Sequence, residues 1–336
     1  MENNMEIHLI SQKDQISAGC VNYKDIFAVI EEAFRQYHRG NIILPEKISQ
    51  IFNNETQDRI NCMPSTLLEN NICGVKWVSV FPNNPKRYAI SNVSGIIVLS
   101  EIKRGYPFAV MDGTLITALR TACMGAIGAK YLARKNSTIY GSIGAGVQAR
   151  AHFKAIKYAI PNITTCYVAS RTEESEKDFI SELSTDYCDV EFIPCHSDYF
   201  MATNKADIIV TAVSCQKPLL KSEAIKPGAF YCHVGGWEDD YSVPLKAKKI
   251  ICDNWDALKH RGSPTIARLF KKGELKDDDI YANLDEIICG DKPGRESDEE
   301  FIYFNSIGLS FVDIAVAYSF YKKAISKGYE QLWEMI

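Results

Sequence analysis

The sequence lacks the cysteine and histidine spacings that disulfide frameworks and zinc sites require. Its 11 cysteines are an odd number with no Cys-x-x-Cys pair, and its six histidines include no pair at i and i+4. Both kinds of site need regular spacings of these residues. We therefore expect free thiols that act as small hydrophobic side chains, and no metal site.

The sequence also lacks a long apolar run and a strong charge of one sign. No stretch approaches the ~20 apolar residues of a membrane span, and residues 1–6 are polar and acidic, unlike a signal peptide. The net charge is −4 and the isoelectric point about 5.9, so no positive field would attract nucleic acid or anionic lipid. We expect a cytoplasmic protein that binds neither nucleic acid nor membrane.

The distribution of apolar residues predicts two domains in these 336 residues. Residues 24–39 have the spacing of an amphipathic helix, residues 48–110 read as short strands of an antiparallel or mixed sheet, and residues 115–134 as a long helix. After residue 136 strands alternate with helices, which predicts βαβ units and a parallel sheet. A last apolar helix, residues 310–326, is expected to pack back on the first domain. The predicted fold class is α/β: a Rossmann domain of residues 121–309, plus an α+β domain of residues 1–120 and 310–336.

A glycine-rich string lies between a predicted strand and a predicted helix. Gly144-x-Gly146-x-x-Ala149 matches the dinucleotide-binding fingerprint, in which glycines form a tight turn and admit a pyrophosphate. The helix that follows would direct its positive amino terminus at the phosphates. The alternative is a tight strand-to-helix turn that binds nothing. The βαβ context favours the cofactor site.

The end of the next predicted strand bears on the choice of cofactor. An NAD enzyme usually carries Asp or Glu there to bind the ribose 2′-hydroxyl. This chain has Ser170, Arg171 and Thr172 instead, and a hydroxyl beside a guanidinium suits a 2′-phosphate. We therefore predict NADP or NAD as cofactor, with NADP favoured. The alternative is that Arg171 is a solvated residue at a helix start.

Two basic residues stand in apolar strings. Lys76 follows Gly74-Val75 and precedes Trp77-Val78, and Arg120 lies on the small, apolar helix after residue 114. A buried cation usually meets an anion. That anion is either an internal Asp or Glu, or the carboxylate of a substrate held by a bidentate Arg and a Lys. The sequence leaves both alternatives open.

A set of strings occurs in a fixed order from about residue 42 to the carboxyl terminus. They are Gly74-x-Lys76, Gly105-x-Pro107, Met111-Asp112-Gly113, Thr117-Ala118-Leu119-Arg120-Thr121-Ala122, Gly144-x-Gly146-Val147-Gln148-Ala149-Arg150, Gly290-Asp291-x-Pro293-Gly294-Arg295 and Phe304-Asn305-Ser306-Ile307-Gly308 with Asp313. Together they resemble the ornithine cyclodeaminase/mu-crystallin family. A second set of strings is similar to its N-(2-amino-2-carboxyethyl)-L-glutamate dehydrogenase-like branch: Gly74-Val75-Lys76-Trp77, Asn84-Pro85-Lys86-Arg87, Ser94-Gly95-Ile96-Ile97, Asp253-Asn254-Trp255 and Gly290-Asp291-Lys292-Pro293-Gly294-Arg295.

The resemblance implies a first domain that binds substrate and forms a homodimer, and a Rossmann domain that binds the cofactor. It implies that Lys76 and Arg120 hold the substrate carboxylate, with Lys47 in the place of a family arginine. The implied cofactor contacts are Thr121, Gly144, Gly146, Val147, Gln148 and Ser306, with the stretch Ser170, Arg171 and Thr172 similar to the NADP-using members.

The chain departs from the cyclodeaminases at two acidic positions. Asn61 stands where they carry a Glu ahead of Met-Pro, and Trp237 stands where they carry the catalytic Asp after Gly-Gly. Trp cannot accept a proton from a diamine. The neighbouring Glu238 is a candidate for binding or deprotonating the amine, and Lys76 for acid–base catalysis. The alternative for Glu238 is a surface acid.

These features predict an NAD(P)-dependent oxidoreductase that acts on the Cα–N bond of an amino acid, an N-substituted amino acid or a cyclic imine. Two alternatives stay open: a cyclodeaminase-type lyase that releases ammonia, and a non-catalytic NADPH-binding protein. The sequence leaves the substrate side chain and the direction of the reaction open.

Overall fold

The computed structural model describes residues 6–335. In chain order its strands and helices are β1 (Glu6–Ile10), α1 (Gln12–Ser17), α2 (Tyr23–His38), β2 (Ile42–Ile43), β3 (Ile48–Asn53), β4 (Asp58–Leu67), β5 (Ile72–Val80), α3 (Asn84–Tyr88), β6 (Val93–Glu101), β7 (Pro107–Asp112), α4 (Thr114–Leu132), β8 (Ile139–Ile143), α5 (Val147–Ala159), β9 (Thr165–Ala169), α6 (Glu173–Ser184), β10 (Glu191–Pro194), α7 (Tyr199–Thr203), β11 (Ile208–Thr211), β12 (Phe230–His233), α8 (Ser242–Lys246), β13 (Lys249–Cys252), α9 (Trp255–Lys259), α10 (Thr265–Lys272), β14 (Ala282–Asn283), α11 (Leu284–Cys289), β15 (Ile302–Asn305), α12 (Ser310–Ile325) and β16 (Gln331–Glu334).

The chain divides into two compact units. One contains the residues up to Arg120 together with those from Leu309 onward, and the other contains Thr121–Gly308. The boundary between the two units falls within α4: Arg120 is the last residue of the first unit before the boundary, and Thr121 is the first residue of the second. The predicted roles of the two units, substrate binding with dimerisation and cofactor binding, stay predictions.

The first unit is built on a mixed, mostly antiparallel sheet. Its strand order is β16-β1-β7-β6-β5-β4-β2, and β3 pairs with β4. Only β1 and β7 run parallel among its described pairs. Helix α12 packs on β4 and β5 and beside α2, as the apolar faces of that helix predicted. The core of this unit therefore lies between the sheet and α12.

Helix α12 lies unusually close to β5. An ideal Cβ built on Gly74 would lie 2.7 Å from the carbonyl oxygen of Val98 and 2.8 Å from Cδ1 of Ile314. At the start of the helix, the Ser310 hydroxyl donates a hydrogen bond of 2.7 Å to the carbonyl oxygen of Pro64 on β4. Glycine on the strand and this hydrogen bond together fix the position of the helix on the sheet.

The second unit is a parallel sheet of the Rossmann type, which confirms the predicted fold class. Its strand order is β10-β9-β8-β11-β12-β15-β13-β14, and all described pairs are parallel. The chain order reverses between β8 and β11. In open parallel sheets the ligand binds outside the carboxyl ends of the strands at such a reversal. The glycine-rich string follows β8 directly, so it lies at this point.

No helix of the described residues is long and apolar enough to cross a bilayer. All 11 cysteines are free thiols. Several are fully buried on the Rossmann sheet, and burial raises the pKa of the Cys166 thiol well above its usual value. Such a thiol stays neutral and packs as a small apolar side chain.

We expect Gly74→Ala to lower the melting temperature. The added methyl group meets a backbone carbonyl of β6 that cannot move without breaking the sheet, and overpacking of this kind costs about 1–3 kcal/mol. Thermal unfolding followed by circular dichroism measures the change. Gly262→Ala is the matched control, since a Cβ there meets nothing within 4 Å. Equal melting temperatures for the two variants would contradict the close packing of α12 on β5.

Candidate active site

Lys76 and Arg120 share one carboxylate. Lys76 Nζ lies 2.7 Å from Oδ2 of Asp313, and Arg120 Nε donates to Oδ1 of the same residue at 2.7 Å. All three are buried, with Lys76 1%, Arg120 5% and Asp313 0% exposed. The anion that the sequence left open is thus, in part, an internal Asp. Since two cations meet one carboxylate, the three groups carry a net charge of +1.

One donor of this cluster is unused. Arg120 Nη1 is buried and makes no hydrogen bond within residues 6–335. A buried guanidinium donor without a partner is costly. A carboxylate supplied by a ligand would satisfy that donor and neutralise the remaining positive charge. The arrangement therefore contains the internal salt bridge of the first alternative, and it keeps one guanidinium donor that is compatible with the second.

Asp313 belongs to the strings that carry the family resemblance, but the sequence assigned it no function. Its side chain comes from the first turn of α12, more than 190 residues after Arg120 and more than 230 after Lys76. The signal that marks it is an acid in the otherwise apolar run Phe311-Val312-Asp313-Ile314-Ala315. We call Lys76, Arg120 and Asp313 the clamp.

Lys47 and Asn61 lie on the neighbouring strands. Lys47 is half-buried and directly precedes β3. Asn61 is 5% exposed, pairs with Val78 across β4 and β5, and accepts a hydrogen bond of 2.8 Å from the Ser49 hydroxyl. A neutral amide therefore occupies the buried position where cyclodeaminases carry an acid.

The glycine-rich loop has the backbone of a phosphate site. Gly144 has a φ of 115°, and a Cβ there would lie 2.6 Å from the carbonyl oxygen of Ala212, so only glycine fits. Gly146 is exposed, with no protein atom within 4 Å of a built Cβ. It precedes α5, and no side chain caps that helix. Val147 is 62% exposed and Gln148 half-buried at the helix start. The open approach and the uncapped helix fit a pyrophosphate.

A buried acid stabilises the backbone of the stretch that follows β9. Glu176 is fully buried, and its carboxylate accepts hydrogen bonds from the backbone N–H groups of Ser170 (2.9 Å), His196 (2.8 Å) and Ser197 (2.8 Å). Arg171 is exposed. The Glu176 carboxylate therefore stabilises the backbone of this region. The sequence did not reveal this role, because a single Glu in a helix pattern carries no signal.

Thr172 and two further predicted cofactor residues have the following positions. The Thr172 hydroxyl caps α6 by accepting a hydrogen bond from the Ser175 N–H. Ser306 follows β15, is 1% exposed, and has a hydroxyl with no hydrogen-bond partner within the described chain. Thr121 is half-buried on α4.

Glu238 is a buried side chain, and the alternative of a surface acid is wrong. Its Oε1 accepts from the N–H of Val213 (2.7 Å), and its Oε2 accepts from the Thr211 hydroxyl (2.7 Å) and the N–H of Gly235 (2.9 Å). Burial raises the pKa of Glu238 to about 7, although these hydrogen bonds oppose the shift. The carboxyl group therefore exchanges its proton near neutral pH.

Glu238 belongs to a buried polar cluster. His233 Nε2 lies 3.4 Å from Asp239 Oδ1 and 3.7 Å from Glu238 Oε2, and all three side chains are 0% exposed. Burial lowers the pKa of His233 to about 4 and raises the pKa of Asp239 well above its usual value. The imidazole is thus neutral near pH 7 and does not act as a counter-cation.

Trp237 is half-buried in the loop that Glu238 anchors. The guanidinium of Arg268 lies 4.4 Å from the centre of its ring, and Tyr241 stacks on it with ring centres 5.9 Å apart. At the position where cyclodeaminases carry their catalytic acid, this chain therefore has an aromatic surface that a cation holds in place.

The chain is similar to known proteins over nearly its whole length. The sequence profile of the ornithine cyclodeaminase/mu-crystallin family matches residues 8–328. The chain belongs to that family. The resemblance inferred from the sequence is thereby confirmed. The relatives described below are NAD(P)-dependent dehydrogenases and reductases of amino acids or imines, the class of enzyme that the sequence predicted.

Two relatives match over nearly their whole length. Alanine dehydrogenase of Archaeoglobus fulgidus is 34% identical over 96% of this chain and 97% of its own. N-((2S)-2-amino-2-carboxyethyl)-L-glutamate dehydrogenase of Staphylococcus aureus is 27% identical over 96% of each chain.

Two solved structures of family members have the same fold. Δ1-pyrroline-2-carboxylate reductase of Thermococcus litoralis, in complex with NADH and L-proline, superposes with a TM-score of 0.90 at 31% identity, covering 97% of this chain and 99% of that one. A dimeric archaeal alanine dehydrogenase with bound NAD gives a TM-score of 0.89 at 32% identity, covering 99% and 100%. A nicotinamide cofactor is therefore bound in both of these related structures.

We expect Glu238→Gln to lower the melting temperature, most strongly at low pH. An amide nitrogen cannot accept the hydrogen bonds that reach both carboxylate oxygens, and each lost bond costs about 1–3 kcal/mol. The folded pKa of Glu238, about 7, exceeds the unfolded value of about 4.3. Its stabilising contribution is therefore complete below pH 4 and is lost as the pH rises towards 7.

Melting curves between pH 5 and 8 check this expectation. The gap between wild type and Glu238→Gln should narrow as the pH rises, whereas exposed Glu223→Gln should match wild type throughout. A gap that widens with pH would contradict the raised pKa.

Proposed function

We propose that this chain transfers hydride between a nicotinamide cofactor and the Cα of an amino acid or its imine. The observation that carries the proposal is the clamp, which has a net charge of +1 and a buried guanidinium donor without a partner. Such a site takes one carboxylate. A second supporting feature is the open glycine-rich loop at the carboxyl end of β8.

The clamp residues would bind and orient the substrate. The Arg120 guanidinium would donate to the substrate carboxylate, and the Lys76 ammonium would supply a point charge beside it. Lys47, half-buried before β3, is proposed as a further contact to the substrate. Fixing the carboxylate would direct the Cα–H bond of the amino acid, or one face of the imine carbon, towards the nicotinamide. Positioning of this kind accounts for much of the rate in a hydride transfer.

The phosphate loop would hold the cofactor. Gly144 and Gly146 would let its pyrophosphate reach the backbone, and the N–H groups of Val147 and Gln148 would donate to it. Thr121 and Ser306 are proposed as further contacts. When bound, the nicotinamide supplies or accepts the hydride.

Lys76 and Glu238 are proposed to exchange protons with the substrate nitrogen. Glu238 has a pKa of about 7, which suits a group that gains and loses a proton near neutral pH. Both of its oxygens accept hydrogen bonds from the chain, so its own exchange would pass through Thr211. Lys76 would exchange its proton through the same ammonium group that belongs to the clamp.

The substrate is proposed to be a small amino acid, an N-substituted amino acid or a cyclic imine, and not a diamine. A distal ammonium needs an acid to pair with its charge and later accept a proton. The two positions that supply acids in cyclodeaminases carry Asn61 and Trp237. The indole of Trp237, which contacts the guanidinium of Arg268, cannot supply that acid.

NADP is proposed as the preferred cofactor. Ser170 and Arg171 stand where an NAD enzyme carries an acid, Thr172 follows them, and Glu176, which could have served as that acid, is turned towards backbone N–H groups. An exposed guanidinium beside a hydroxyl suits a 2′-phosphate.

A cytoplasmic homodimer is proposed for the assembly. Ile48, Trp77 and Ile96 lie in one row across β3, β4, β5 and β6, with Cys62 between them in register, and are 62%, 42% and 47% exposed. An exposed apolar row on a sheet face is typical of an interface. The related alanine dehydrogenase is a dimer.

The reaction is tested by incubating the purified protein with Δ1-pyrroline-2-carboxylate and NADPH or NADH. We expect cofactor oxidation at about 1 s⁻¹ or faster, and a steep loss of kcat/KM in Arg120→Lys, which keeps the charge but lacks the bidentate fork. L-Ornithine with NAD(P)+ should yield neither proline nor ammonia.

Proline formation from ornithine at an enzymatic rate would refute the exclusion of diamines. Tight NADPH binding without turnover of any imino acid or amino acid would favour a cofactor-binding protein instead. Near-normal turnover by Arg120→Lys would return Arg120 to a purely structural role.

The cofactor preference is tested by the ratio of kcat/KM values with NADPH and NADH. We expect the wild type to prefer NADPH and Arg171→Ala to narrow the difference, because the 2′-phosphate loses a cation. Lys177→Ala, an exposed cation further along α6, is the matched control and should leave the ratio unchanged. A tenfold preference of the wild type for NADH, about 1.4 kcal/mol, would show the assignment to be wrong.

A further inference from the structure

Asp313 stands out as an acid in the apolar run of residues 311–315 at the start of α12. It is the fully buried member of the clamp, and its two oxygens divide between two partners, Oδ1 to Arg120 and Oδ2 to Lys76. We infer that Asp313 is a positioning residue: it orients both cations and limits the clamp to a single substrate carboxylate. The inference rests on the proposed function of the clamp.

Asp313 decides which edge of the Arg120 guanidinium is left for the substrate. Nε of Arg120 donates a hydrogen bond of 2.7 Å to Oδ1 of Asp313, whereas Nη1 of Arg120 is buried and has no hydrogen-bond partner in the described chain. A guanidinium donates from a planar fork, so fixing Nε also fixes the direction in which the terminal nitrogens point. A carboxylate that binds there is therefore aligned by the Asp313 contact.

The position of Asp313 is itself rigid. It lies one residue before Ile314, whose side chain would touch a Cβ on Gly74, two residues from Lys76 on the same strand. The Ser310 hydroxyl fixes the start of α12 to the carbonyl oxygen of Pro64. The helix thus places the carboxylate against β5 with little freedom to shift.

The charge of the clamp depends on Asp313 as well. With the carboxylate, the cluster carries +1 and a bound monocarboxylate brings it to zero. Without the carboxylate it would carry +2 in a buried site, where unpaired charge is strongly unfavourable. Asp313 therefore matches the clamp to one carboxylate rather than to two.

Asp313→Asn tests this inference through the split between kcat and KM, with the imine substrate and the better cofactor. We expect kcat to fall about 100-fold, because a displacement of about 1 Å has an effect of that size. The KM for the imine should not rise, because the clamp gains positive charge. Asp313→Glu should recover most of the melting temperature but not kcat, since it restores the charge one methylene group out of place.

Asp207→Asn is the matched control. Asp207 also shares one buried carboxylate between an arginine and a lysine, Arg134 and Lys226, within the Rossmann unit. It should lose thermal stability with kcat and KM unchanged. If Asp313→Asn behaves in the same way, Asp313 is only structural and the inference is wrong. If Asp313→Asn does not fold, Asp313→Glu decides, and a folded variant with wild-type kcat overturns the inference.

Binding of pyrrole-2-carboxylate, a planar monocarboxylate probe, separates this inference from the proposed reaction. Calorimetry on wild type with probe binding but no turnover of any imine would reject the reaction and leave the clamp intact. The inference is then tested by the variant: Asp313→Asn should bind the probe severalfold more tightly, because one negative charge beside the ligand is removed. Unchanged or weaker binding would overturn it.

Discussion

The clamp depends on one constraint, that a charge buried in protein must be paired. Lys76 comes from β5, an inner strand of the first unit's sheet, and Arg120 comes from α4. Each charge would be unfavourable in an apolar core alone. Asp313 pairs with both, and one donor, Nη1 of Arg120, has no hydrogen-bond partner within the described residues. In the function that we propose, the same buried charges that would destabilise the fold serve to bind one carboxylate.

The second unit uses buried carboxylates in a different way, as acceptors for the backbone. Glu176 collects three N–H groups beside the end of β9, Glu238 collects two beside the end of β11, and Asp253 accepts from the Gly308 N–H after β15. All of these lie at the carboxyl ends of parallel strands, where the loops of a Rossmann sheet meet the cofactor. Because loops there lack ladder partners, a carboxylate that satisfies several N–H groups fixes their shape.

Trp237 stands where the family resemblance places the catalytic acid of the cyclodeaminases. The loop that carries it is anchored by Glu238, while Arg268 and Tyr241 pack against the indole ring. Burial is the cause of the raised pKa of Glu238. The shift therefore follows from the anchoring position of the side chain, whether or not the group exchanges protons with a substrate.

The sequence by itself determined the features that depend on neighbours along the chain. The glycine loop, the Thr172 cap, the alternation of strands and helices after residue 136 and the family membership were all predictable, because turn geometry, capping and hydrophobic periodicity are local. Strands β1 and β16, which pair across the length of the chain, gave no comparable local signal.

Only the tertiary structure decided which buried charges meet. Asp313 forms salt bridges with Lys76 and Arg120, which lie more than 190 residues earlier in the chain. Glu176 on α6 accepts a hydrogen bond from the backbone N–H of His196, which follows β10. It also showed that Glu238, taken as either a catalytic group or a surface acid, is a buried acceptor of backbone hydrogen bonds. The physical reason is that the cost of burying a charge is balanced by groups near in space, and their identity depends on the packing of whole elements rather than on sequence spacing.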